Sequence, residues 1–148
     1  MVIKYQTAYC LVPAASLAGG LGAGRAIKGG PLFDLPALQA AIGQGLLVEE
    51  SIWLATDRCE RDMQNYRWGF ADVLRMVACL VPGRQGDYKK SEWCKVVGER
   101  WVPCDVYRLN YDSERQRRSQ NALEVYLKFS VDEAGGLTLV LVSCHGSR

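Results

Sequence analysis

From Leu123 to Val131 the chain alternates without a break. Leu123, Val125, Leu127, Phe129 and Val131 fall on one side, and Glu124, Tyr126, Lys128 and Ser130 on the other. A period of two marks a β-strand with one face on a core and the other toward solvent. A turn sequence, Asp132-Glu133-Ala134-Gly135-Gly136, follows, and then a more apolar run over residues 137–144. The two runs predict an antiparallel hairpin whose second strand is the more deeply buried. A lone hairpin is marginal in water, so the rest of the chain has to cover its apolar face.

Helical periodicity supplies candidates for that cover. Asp34 reads as an N-cap with Pro36 in the first turn, where a missing N–H costs little. Leu35, Leu38, Ile42 and Leu46 then recur at helical spacing, and Gly43 and Gly45 weaken the end. Residues 46–54 either close this helix or form a strand. Residues 57–67 carry Asp57, Arg58, Glu60, Arg61 and Asp62 and read as a polar helix or loop. Residues 69–81, with Phe70, Val73, Leu74, Val77 and Val81, read as a buried helix stopped by Pro82-Gly83. Beyond it, residues 87–91 read as a short polar segment, 101–107 as a strand and 109–121 as a charged loop.

The N-terminal part is less patterned. Residues 1–12 alternate loosely, as a strand can. Residues 19–30 are rich in glycine but lack the Gly-Lys-Ser/Thr of a P-loop and the acidic follower of a dinucleotide site. They read as a flexible connector. The apolar stretch near the N-terminus is interrupted by Gln6, Thr7 and Pro13, which makes a poor signal-peptide core. No run approaches the roughly 20 apolar residues that cross a bilayer. The expected architecture is α+β, a small antiparallel sheet with N-terminal helices packed on one face. The glycine-rich extension covers 1–33 and one domain covers 34–148.

With 148 residues, 49% of them hydrophobic and 23% charged, the chain has ordinary globular composition, which excludes a disordered tail, a fibre or a coiled coil. The net charge of +2 is too small for a protein that coats DNA, though a local basic cleft is compatible with it. The surplus lies in residues 84–148, with eleven basic against nine acidic side chains, and Arg115, Arg117 and Arg118 form its one dense cluster. Six cysteines at 10, 59, 79, 94, 104 and 144 contain no C-x-x-C pair, which argues against a zinc finger or ribbon. Several lie within apolar patterns, as Cys79 does, and read as reduced, core-forming thiols of a cytoplasmic protein.

Four blocks occur in a telling order: Gly86-Asp87-Tyr88-Lys89-Lys90-Ser91 after an apolar helix, Cys104-Asp105-Val106-Tyr107-Arg108, Glu124-Val125-Tyr126-Leu127-Lys128-Phe129, and Leu141-Val142-Ser143-Cys144-His145. This order, over roughly residues 34–145, resembles the motility quorum-sensing regulator (MqsR) family of bacterial toxins. These are RelE-like mRNA interferases of type II toxin–antitoxin systems. The resemblance implies a RelE-like α+β fold and cleavage of single-stranded mRNA without a metal or other cofactor. It also implies a cognate antitoxin partner, which in the family is a zinc-containing, DNA-binding protein. Position by position, the family's functional lysine matches Lys90, with Lys89 as a one-residue slip, its tyrosine matches Tyr126, and its C-terminal lysine aligns with His145. The family's glutamine before Asp-Val-Tyr is Cys104 here, so that role is not carried over.

Metal-free RNA cleavage uses the ribose 2′-OH as nucleophile and needs a base, an acid and a cation at the phosphate. Histidine suits proton transfer near neutrality, and His145 is the single histidine. Lys90 is the expected cation, and Lys89, Arg108, Arg115, Arg117, Arg118 and Lys128 are the expected RNA-binding residues. Read alone, each residue keeps a structural alternative: a frayed terminal side chain for His145, a packed surface phenol for Tyr126, a solvated helix end for Lys90. Two other functions stay open, a catalytically inactive relative that binds RNA or a protein partner, and an unrelated α+β binding domain. Register is the sharpest question. A tight turn at 132–135 pairs Val131 with Gly136 and sets Tyr126 opposite Leu141, leaving His145 about 13 Å further along. A longer loop or a β-bulge brings the two together.

Overall fold

Seven strands build one sheet in the computed structural model, which describes residues 8–13, 17 and 20–146 apart from the side chain of Ala23. The strands are β1 (Ala26–Ile27), β2 (Ile52–Leu54), β3 (Tyr88–Val96), β4 (Arg100–Asp112), β5 (Arg117–Arg118), β6 (Leu123–Asp132) and β7 (Thr138–Gly146). Their order is β1-β3-β4-β6-β7-β2, with β5 paired to β4. Every pair is antiparallel except β2 with β7. The described helices are α1 (Leu35–Gly43), α2 (Asp57–Tyr66) and α3 (Phe70–Cys79). The chain is therefore α+β with a mostly antiparallel sheet. Among the described residues, no helix is long and apolar enough to cross a membrane.

Side-chain caps fix where the helices begin. Asp34 accepts from Ala37 N at 3.1 Å, as its sequence position predicts. Thr56 Oγ1 accepts from Cys59 N at 3.1 Å and donates to Val142 O at 2.9 Å, which ties the start of α2 to β7. Asp72 accepts from Gly69 N at 2.9 Å and from the Tyr111 hydroxyl at 2.8 Å, which ties α3 to β4. At the other end of α3, Gln39 Nε2 donates to Val77 O, Ala78 O and Leu80 O at 3.1, 3.3 and 2.8 Å, and Val77 O also accepts from Leu80 N at 3.3 Å.

The main core joins helices and sheet. Leu35, Leu38, Cys59, Met63, Val73, Met76 and Val77 from the helices form one buried cluster with Tyr107, Leu109, Tyr111, Val125, Leu127, Phe129, Leu139, Leu141 and Cys144. Leu17, Leu32 and Phe33 belong to the same cluster. The described part of 1–33 is thus packed into the domain, not appended to it, and β1 extends the sheet along β3. The expected strand over 1–12 falls largely outside the described residues; within its described end, Cys10 makes an isolated bridge to Phe33.

Several elements differ from the sequence expectation. The polar segment at 87–91 is the start of β3, because Ser91 and Trp93 turn inward while Lys90 and Glu92 turn out, so charge hides a period of two. The loop expected over 109–121 begins later. Leu109 and Tyr111 stay buried and carry β4 through Asp112, with β5 pairing back onto it. Residues 46–54 form turns and then β2, and the connector at 19–30 contributes β1.

The hairpin itself forms, but not with the tight turn. Asp132 pairs with Thr138. Between Leu141 and Ser143 the register slips, so that Val142 is the extra, unpaired residue of a β-bulge. Continued without it, the register would set Cys144 opposite Tyr126 and His145 on the core side. With it, Tyr126 lies directly across from His145.

The second face of the sheet carries a smaller apolar cluster of Ala55, Cys94, Val96, Cys104, Val140 and Val142, with Trp53 and Val102 packed against it. Val97 N donates to Ala55 O at 2.9 Å, joining the chain after β3 to the chain after β2. Strands at nearly opposite ends of the sheet order meet there, so the sheet curls and this cluster fills the hollow.

Candidate nucleic-acid site on the second face of the sheet

Residues directly opposite each other on neighbouring antiparallel strands share a face. Arg108 on β4 pairs with Tyr126 on β6, and Tyr126 pairs with His145 on β7. One row across three strands therefore presents a guanidinium, a phenol and an imidazole on the face opposite the helical core. The Tyr126 and His145 rings lie 5.6 Å apart at 30°. Arg108 Cζ lies 6.0 Å from the centre of the Tyr126 ring on its other side. Tyr126 and the carboxylate of Glu124, 3.3 Å from Arg108 Nε, raise the Arg108 pKa further, so its charge is permanent.

His145 Nδ1 sits 2.8 Å from Gly146 O. A carbonyl only accepts, so Nδ1 carries the proton in the neutral ring and Nε2 presents its lone pair. Gly146 packs closely there: a Cβ at that position would meet the Tyr66 hydroxyl at 2.7 Å and Leu123 at 3.0 Å. The end of β7 is thereby held against α2.

The next row along the sheet is Lys90, Val106, Lys128 and Ser143. Both lysines turn to Glu92, with Lys128 Nζ at 2.7 Å and Lys90 Nζ at 3.6 Å. Burial alone would raise the Glu92 pKa. The hydrogen bond from Lys128 and the charges of Lys128, Lys90 and Arg25 outweigh it and hold the carboxyl below its ordinary value. Lys90 thus shares a face with Tyr126 and His145, but its ammonium is engaged by Glu92, and Arg108 is the cation beside the phenol.

The other expected residues are placed as follows. Lys89 is the extra residue of a bulge in β3, since Tyr88 pairs with Tyr107 and Lys90 with Val106; it is exposed. Arg118 is anchored by the Asp87 carboxylate and donates to Cys79 O at 3.3 Å. Arg117 on β5 pairs across from Asp112 at the end of β4, and Arg115 lies 4.0 Å from the Asp112 carboxylate. Cys104 is fully buried in the smaller apolar cluster, where it can touch no solute. Asp105, in the same sequence block, faces the core and accepts from Leu32 N, Phe33 N and Ser91 Oγ. Sequence reasoning missed Glu92; the period-two pattern Lys90-Ser91-Glu92-Trp93 was the signal that could have placed it on this face.

All six thiols are free. Among the described residues, no group of three or more His, Cys, Asp or Glu side chains is arranged to hold a metal ion. No family model, curated protein or solved structure matches this chain.

Proposed function

We propose that the protein is an endoribonuclease that cuts single-stranded RNA without a metal, through attack of the ribose 2′-OH. The observation that carries the reading is the bulge-set row Arg108–Tyr126–His145. In this reading His145 Nε2 takes the 2′-hydroxyl proton as the 2′-oxygen bonds to phosphorus. The bond from phosphorus to the 5′-oxygen breaks, and the Tyr126 hydroxyl gives that oxygen its proton. Arg108 stabilises the charge on the non-bridging phosphate oxygens and on the phenolate that Tyr126 becomes. Water then returns the proton from His145 to Tyr126. The products are a 2′,3′-cyclic phosphate and a 5′-hydroxyl. Lys90 and Lys128 hold a neighbouring phosphate in competition with Glu92, and Arg115, Arg117 and Arg118 steer the strand.

The α+β fold and the order of the four sequence blocks support placing this activity in a RelE-like mRNA interferase toxin of the MqsR kind, acting in the cytoplasm. An enzyme that cuts cellular mRNA needs a neutralising protein, so a cognate antitoxin is the proposed partner.

One observation favours the alternative of an inactive, RNA-binding or partner-binding relative: Glu92 and Glu124 pair with three of the site's cations. Incubation with single-stranded RNA in EDTA separates the two. Cleavage is expected, and His145→Ala and Tyr126→Phe are each expected to lower its rate at least about tenfold, the low end of general acid–base contributions. Intact RNA that is nevertheless bound selects the alternative.

A further inference from the structure

Two clefts flank Lys89. One, of about 520 Å³, is lined by Arg108, Asn110, Arg118 and Gln120 together with the carboxylates of Asp87 and Glu124, and opens beside the Tyr126 row. The other, of about 530 Å³, runs along the paired strands β1 and β3 and the turn after β1, and is lined by Arg25, Arg84, Lys89 and Lys90, with Glu92 as its one carboxylate among the described residues. Lys89 lines both.

Resting on the ribonuclease reading, we propose that the second cleft is a phosphate-binding subsite for the RNA strand beyond the cut, and that Lys89 carries the strand from one cleft to the other. Four cations against one carboxylate leave the cleft positive, and that carboxylate is already shared with Lys128. The cations are held in place from behind. Arg84 Nε donates to Gly30 O at 2.8 Å, and Arg25 Nε donates to Trp93 O at 3.1 Å while its guanidinium lies over the Trp101 ring. Among the described residues the terminal nitrogens of neither arginine make a hydrogen bond or ion pair, which leaves them for a ligand. Gly30 forms part of the wall because a side chain there would run into Tyr88 and Ser91. The β-bulge leaves Lys89 out of the pairing register with its side chain exposed, and among the described residues that side chain makes no hydrogen bond or ion pair.

Distance sets the substrate class. From β7 to β3 the strand crosses three inter-strand steps of about 4.8 Å each, about 14 Å in all. A ligand that spans both the row and the cleft is a single strand of several nucleotides, not a mononucleotide or a free phosphate.

The test is binding of an uncleavable, fluorescent 2′-O-methyl oligonucleotide, followed by anisotropy across a salt series. For single strands the log–log salt slope falls by about 0.7 for each phosphate contact removed. Lys89→Ala is expected to weaken binding severalfold at low salt and to reduce the slope by about that amount. Arg84→Ala is expected to do the same for an octanucleotide and to leave a dinucleotide's affinity unchanged. Circular dichroism on each variant reports folding, and Arg84→Lys is the fallback that keeps the charge and is expected to keep the wild-type salt slope. Unchanged slopes in folded Lys89→Ala and Arg84→Ala overturn the subsite while wild-type cleavage of RNA leaves the ribonuclease reading standing. Complete displacement of the oligonucleotide by inorganic phosphate at matched ionic strength also overturns it. Wild-type protein that neither binds nor cuts any strand overturns both.

Discussion

Replacing Asp105 by alanine tests the packing that holds the N-terminal segment against the sheet. The carboxylate is wholly buried. It accepts from Leu32 N through both oxygens at 3.0 Å, from Phe33 N at 3.0 Å and from Ser91 Oγ at 2.6 Å. Without it, two backbone N–H groups at fully buried positions lose their partners. The Ser91 hydroxyl keeps the Tyr88 hydroxyl at 2.7 Å. Each orphaned N–H costs about 1–3 kcal/mol, which puts the loss at about 2–6 kcal/mol. Folding stabilities run at about 5–15 kcal/mol. For a chain this size the midpoint of thermal unfolding should fall on the order of 10 °C. The pH dependence gives a second check. Burial outweighs the hydrogen bonds from Ser91, Leu32 and Phe33 and raises the Asp105 pKa. The folded state therefore binds the proton more tightly than the unfolded state, so the stability this group supplies is largest below the ordinary aspartate range and declines as pH rises through the raised value. Urea unfolding of wild type and Asp105→Ala should show a gap that widens as pH falls from neutral. A gap under about 1 kcal/mol, or one that narrows on acidification, refutes the reasoning.

Gln39→Ala takes the side-chain donor from Ala78 O and Leu80 O, while Val77 O keeps Leu80 N, and should cost about 1–3 kcal/mol by urea unfolding; an unchanged midpoint refutes the cap. Glu92→Gln releases Lys128 and Lys90 and should tighten RNA binding at low salt. Because the Glu92 pKa is depressed, its stabilisation is present above the ordinary carboxylate range and lost as pH falls through the folded value, so the wild type should lose stability faster than Glu92→Gln on acidification. Burial and the charge of Asp62 raise the Cys59 thiol to about 12, and burial raises Cys144 and Cys104 well up. In native protein at pH 8 these three should resist iodoacetamide, with Cys59 about one part in 10⁴ thiolate; rapid labelling mapped to any of them contradicts the packing.

The sequence made β6 and the two apolar helices legible because each follows one uninterrupted period, and the Asp34 cap legible because Pro36 follows it in the first turn. It hid β3 and the far half of β4. There the outward positions carry Lys90, Glu92, Arg108 and Asn110, and a solvated charged face reads as a loop when the inward residues are few. It hid the pairing of Tyr126 with His145 for a different reason. One bulged residue, Val142, reverses which face every later residue takes, and nothing in Leu141-Val142-Ser143 marks it. Glu92 became part of the site, and Arg108 moved from the RNA-binding set to the place beside the phenol, only once strand order set them beside Lys128 and Tyr126.

In the proposed reaction the 2′-hydroxyl is the nucleophile, deprotonated by His145 beside Tyr126. The most direct measurement compares one single-stranded sequence made as RNA and as its 2′-O-methyl form, in EDTA, with end-group analysis of the products. The account predicts cleavage of the RNA alone, with 2′,3′-cyclic phosphate and 5′-hydroxyl ends. Cutting of the 2′-O-methyl strand, or 5′-phosphate ends from the RNA, would contradict it.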